Sequence, residues 1–142
     1  MTGRTKNVRR IASEPYHMAW LTRDEKSFLF SDASWRVIDT ARDVCRRMGA
    51  TMLKGRVFGK RVHFIVAVPQ YIDVGFLLKR LKDDLAIRIL DDFPEILDAT
   101  GSQGVWEEMD FCSIDNNGAM EDVRKFLKYE DDISSAVANQ NV

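Results

Sequence analysis

Eleven residues, Gly59 to Pro69 (GKRVHFIVAVP), constrain the fold of this chain more than any other stretch. Their apolar residues alternate, so an extended strand puts Val62, Phe64, Val66 and Val68 on one face and Arg61, His63, Ile65 and Ala67 on the other. The first face is wholly apolar and has to be covered, which helices on either side in the sequence can do. Arg61 and His63 then project together from the opposite, more open face. Thr51 to Phe58 reads as a neighbouring strand, with Gly59-Lys60 as a short hairpin-like connection.

The rest of the chain supplies what that strand needs. Tyr16 to Thr22 suits a strand with Tyr16, Met18 and Trp20 on one face and His17, Ala19 and Leu21 on the other. Ser31 or Asp32 can cap a helix running to about Met48, with an inner stripe of Trp35, Ile38, Ala41, Cys45 and Met48, and Gly49 ends it. A second helix from Asp73 to about Asp91 carries Leu77, Leu81, Leu85 and Ile89 at a spacing of four, and Pro94 punctuates the segment after it. Val105 to Ile114 fits a fourth strand. The turn Asp115-Asn116-Asn117-Gly118 leads into a last helix with Met120, Val123 and Leu127 inward, ending near Tyr129 in the acidic cluster Glu130-Asp131-Asp132. This order is that of an α+β ferredoxin-like sandwich: a four- to five-stranded antiparallel sheet, helices on one face, and an appended C-terminal helix.

A length of 142 residues suits one domain. Residues 1–13, with Arg4, Lys6, Arg9 and Arg10, read as a basic arm, 14–132 as the domain and 133–142 as a polar tail. The 2 cysteines, Cys45 and Cys112, are too few for a cysteine metal site and are not needed as a disulfide in a chain of this size, so a reducing cytoplasm is expected. The start shows no signal-peptide pattern, and the longest clean apolar run, Phe64 to Val68, is far short of a membrane span. The net charge of −1 conceals an asymmetry: residues 1–82 hold 17 Lys and Arg against 7 Asp and Glu, and residues 83–142 hold 4 against 15. A basic half of +10 points to an anionic partner, nucleic acid foremost; two opposite solvated faces are the alternative.

Several short motifs fall in one order. Tyr16-His17-Met18-Ala19-Trp20 opens the domain, Arg61-Val62-His63-Phe64 runs to Pro69, Leu81-Lys82-Asp83 leads to Phe93-Pro94, and Trp106 opens the fourth strand. In this the chain resembles the single-tyrosine HUH transposases of the IS200-like type, collinearly from Tyr16 to about Asp131. The resemblance implies two histidines and a Gln, Asn or Glu on the last helix binding a divalent metal, Mg²⁺ or Mn²⁺. It also implies a tyrosine one helical turn earlier that attacks a phosphate of single-stranded DNA, and a homodimer. Carried over residue by residue, the first histidine position is Arg61, the second His63, the nucleophile position Phe126 in FLKYE, and the third ligand Glu130. Arginine cannot ligate a cation and phenylalanine has no nucleophilic oxygen. His63 with Glu130 is half a metal site, so metal binding is expected to be weak or lost.

The resulting expectation is a transposase-like binder of single-stranded or hairpin DNA that does not cut it. Candidate DNA contacts are Arg61 with Lys54, Arg56 and Lys60, then Lys79 and Lys82 beside Arg80 on the second helix, and Arg9 and Arg10 in the arm. Arg61 contacts a phosphate directly or pairs with Glu130. His17 shares a face with His63 if their strands pair in register, and reads as a structural residue. One rival is an active transposase using Tyr129, which points about 60° away from Phe126 around the helix. The other is a ferredoxin-like sensing or interaction module without nucleic acid, favoured by Glu107, Glu108 and Asp110 in the fourth strand. A generic RNA-binding reading is weaker, because the central strands lack paired exposed aromatics.

Overall fold

A computed structural model describes residues 12–129. The elements are β1 (Ser13–Thr22), α1 (Ser31–Met48), β2 (Thr51–Phe58), β3 (Arg61–Pro69), α2 (Val74–Asp92), a short α3 (Ile96–Thr100), β4 (Trp106–Ile114) and α4 (Ala119–Phe126), with 3-10 turns at Arg23–Glu25 and Gly101–Gln103. The sheet has four antiparallel strands in the order β2-β3-β1-β4. Each β-α-β unit therefore encloses a strand from the other half of the chain, the split arrangement of a ferredoxin-like sandwich. Arg9, Arg10 and Glu130 lie outside the described residues.

The alternation of β3 folds as its pattern requires. Val62, Phe64, Val66 and Val68 are buried with Met18 and Trp20 of β1 beneath α1 and α2. Trp20 makes edge-to-face contacts with Phe64 and Trp106, centroids 5.6 and 5.8 Å away. Its indole Nε1 is buried with no hydrogen-bond partner among the described residues, a cost of about 1–3 kcal/mol that this aromatic packing must offset. From α2 come Leu77, Leu78, Leu81, Leu85 and Ile89. The carboxylate of Asp73 accepts hydrogen bonds from Gly75 N and Phe76 N and so starts that helix. Gly49, at φ 90°, ends α1 in a left-handed conformation that a side chain resists.

Two expected inner residues point outward. Trp35 is 65% exposed, because α1 rolls so that Ala33, Ser34, Val37, Ala41, Val44 and Cys45 meet the sheet; small side chains on that stripe let the helix approach closely. Met120 is likewise 41% exposed, and Val123 and Leu127 are what the C-terminal segment buries. They pack with Ala19 and Leu21 on the sheet face opposite α1 and α2, flanked by Phe111, Phe126 and Tyr129. The face that alternation leaves open is thus partly roofed by α4. No helix among the described residues is long and apolar enough to cross a membrane.

Candidate functional site

The roofed face gathers the polar residues of three strands. Ala19 pairs with His63, and Arg56 pairs with the same His63 from the other side; Lys54 pairs with Ile65 and Phe58 with Arg61. Paired residues share a face, so Lys54, Arg56 and Phe58 of β2, Arg61 and His63 of β3 and His17 of β1 all project to one side.

His17 and His63 are in contact. His17 Nδ1 lies 2.9 Å from His63 Nε2, the rings are nearly parallel, and His17 Nε2 lies 2.8 Å from Asp115 Oδ1. Asp115 Oδ1 accepts from His17 Nε2, and which ring donates across the His17–His63 contact is set by the tautomer. His17 is fully buried at a central strand and its polar atoms are satisfied by this chain. Burial, then the charges of His17, Arg56 and Lys54, push His63 down to about 4, so its imidazole is neutral at pH 7. Beside it opens a cavity of about 310 Å³ lined by Lys54, Gly55, Arg56, His63, Ile65 and Met120.

Arg61 sits at the other end of this face and is only 9% exposed. Its Nε donates to Leu127 O at 2.7 Å and its Nη2 to Lys128 O at 3.1 Å, while its guanidinium carbon lies 4.5 Å from the ring centroid of Tyr129. The cation therefore caps the carbonyl end of α4, where the helix dipole favours positive charge. Phe126 packs against Phe111 of β4, centroids 5.8 Å apart. Neither side chain offers a metal a lone pair. Among the described residues no three His, Cys, Asp or Glu side chains gather to hold an ion, Glu130 lying outside them.

The other candidate cations are dispersed. Lys60 pairs with Glu25 at 2.9 Å, and Glu25 also takes Lys128; these two hydrogen bonds, Lys128 first, hold the Glu25 carboxyl below its ordinary value. Lys79 and Arg80 pair along α2 with Asp83 and Asp84. Lys82 donates to the carbonyls of Glu107 and Glu108 and to Asp110, fastening α2 to β4. All three belong to a helix on the far side of the sheet from His63. Lys54 and Arg56 remain, exposed beside the cavity and without a carboxylate partner among the described residues.

Likeness to other proteins places this geometry in a family. The family described as Transposase IS200 like matches residues 11–130 of the chain. The chain belongs to the IS200-like transposase family. No curated protein matches it at a meaningful level. Among solved structures, a putative transposase from Deinococcus radiodurans R1 shares the fold with a TM-score of 0.78 at 16% identity, over 85% of this chain and 93% of that one. A REP-associated tyrosine transposase bound to a REP hairpin is similar with a TM-score of 0.53 at 14% identity, over 77% of this chain and 61% of that one. In this member of the IS200-like family, His63 is tied through His17 to Asp115, one chain of hydrogen bonds across two strands and a turn. Alternation in β1 puts His17 on the matching face; Asp115, 98 residues further along the chain, reads in the sequence only as part of a turn.

Proposed function

We propose that this member of the IS200-like transposase family holds single-stranded or hairpin DNA without cleaving it through metal-assisted tyrosine chemistry. The observation that carries the reading is Arg61: at the position the family resemblance gives to the first metal ligand, a permanent cation donates to the Leu127 and Lys128 carbonyls. Phe126, at the nucleophile position, supplies a ring to Phe111 and no oxygen. His63 has its Nε2 engaged with His17. Lys54 and Arg56, with no carboxylate partner among the described residues, supply at the rim of the cavity the charge that a phosphate backbone requires. That a related fold is bound to a REP hairpin supports the choice of partner. A homodimer belongs to the same proposal, to be read by sedimentation at several concentrations.

The test is incubation of the full chain with labelled hairpin and single-stranded DNA and Mn²⁺ or Mg²⁺, scoring a mobility shift and a covalent adduct on a denaturing gel. A shift that weakens with salt and gives no adduct supports the reading. An adduct lost in Tyr129→Phe overturns it in favour of a relocated nucleophile, although Tyr129 lies in contact with the Arg61 guanidinium and packs on the Ala19, Leu21, Val123 and Leu127 cluster. Absence of a shift at low salt overturns it in favour of a sensing or interaction module.

A further inference from the structure

Phe58 and Phe30 form an aromatic pair that the core does not use. Phe58 is 66% exposed and Phe30 43% exposed, and the rings meet edge to face with centroids 5.1 Å apart and planes at 86°. Phe30 is held where α1 begins, next to the Leu29–Gly59 bridge that ties it to the β2-β3 turn. Phe58 ends β2, an edge strand, and projects to the same side as Arg56 and Lys54. The three side chains stand at i, i+2 and i+4 of one strand, about 7 Å from one to the next.

The chemistry of that row selects its occupant. Arg36, Arg42, Arg46, Arg47, Lys79 and Arg80 are each paired with a carboxylate, whereas Lys54 and Arg56 have none among the described residues. Two unneutralised cations followed by an open aromatic ring match an anionic chain that also presents flat π-faces. An edge-to-face pair leaves ring surface free for a third planar group, and a short strand plus a helix start hold the platform in place.

We infer that the Phe58–Phe30 pair is a base-stacking platform for single-stranded DNA, with Lys54 and Arg56 holding the adjoining phosphates. This rests on the DNA-binding reading above and adds to it the element that distinguishes unpaired from duplex DNA. Bases in a duplex are stacked on each other and leave no face for Phe58, so the platform favours single strands and is tolerant of base identity.

Fluorescence anisotropy of the full chain with a short end-labelled oligothymidylate, the same oligomer carrying abasic positions, and a duplex tests it. Expected are tighter binding to the single strand than to the duplex, and loss of affinity on removing bases. Phe58→Ala should weaken single-strand binding about 5- to 100-fold and make the protein indifferent to abasic positions. Phe58→Trp should bind and have its fluorescence quenched by the oligomer. Arg56→Gln should weaken binding to all three and flatten its salt dependence. The abasic comparison on the unaltered protein and Phe30→Ala guard against a substitution that merely misfolds. Salt-dependent binding that Phe58→Ala and abasic positions leave unchanged overturns the platform and leaves the DNA reading standing. No binding by the unaltered protein at low salt overturns both. A dimer that Phe58→Ala dissociates, with no change in DNA affinity of the monomer, assigns the pair to a contact between copies and overturns the inference.

Discussion

The two faces of one sheet are built from the same strands and solve different problems. Toward α1 and α2, Met18, Trp20, Val62, Phe64, Val66 and Val68 meet a row of leucines and nothing polar is asked of them beyond exclusion of water. Toward α4, alternate residues of those same strands are His17, Arg61 and His63, each committed to a named polar partner, with only a small apolar cluster around Val123 and Leu127. The first face derives its strength from buried area, which is nondirectional. The second derives its order from directed hydrogen bonds, which contribute little net stability but cost a great deal when half broken.

Four changes probe that contrast. On the apolar face, Phe64→Ala removes a fully buried ring that touches Trp20 and should cost about 3–5 kcal/mol in denaturant unfolding; a loss of under about 1 kcal/mol would mean that the face is not one packed core. On the polar face, Arg61→Ala strips two charge-assisted hydrogen bonds from the end of α4 and should cost about 2–3 kcal/mol. Hydrogen exchange should report this change as faster opening of α4 while the β1-β3 amides keep their protection.

Third comes the response to pH. His63 titrates at about 4 when folded and near 6.5 when unfolded, so between those values the unfolded chain binds more protons and stability falls as pH falls from 6.5 toward 4. The loss should reach about 2–3 kcal/mol by pH 4, the full shift being discounted for relaxation around the site, and His63→Gln should flatten this part of the profile. The smallest expected effect is Phe58→Ala, whose ring is mostly in solvent: stability should move by less than about 0.5 kcal/mol. A larger loss there would make the aromatic pair a structural clasp.

The sequence is more readable on one face than on the other, for a physical reason. Apolar alternation in β3 and the four-residue leucine spacing of α2 are local signals, and both lead to the buried residues. Trp35 misleads because a stripe read every three or four residues can be rotated by one position; which row faces the sheet is decided by packing of Val37, Ala41 and Val44. Alternation places Arg61 on the open face of the sheet, but its burial under α4, where it donates to the Leu127 and Lys128 carbonyls, is announced by no local pattern. Lys82 reads as part of a basic ridge, and its side chain instead reaches the β4 carbonyls. Asp115, 98 residues from His17, and the Phe30–Phe58 pair depend on which distant segments meet, which periodicity does not encode.

The strand order gives the near-neutral chain a lateral polarity. One edge of the sheet is β2, with Lys54 and Arg56; the opposite edge is β4, with Glu107, Glu108 and Asp110. Among the described residues, the two rims of the four-stranded sheet thus carry side chains of opposite sign. On the DNA-binding proposal, a polyanion would meet the β2 rim first, so a net charge of −1 does not by itself preclude steering.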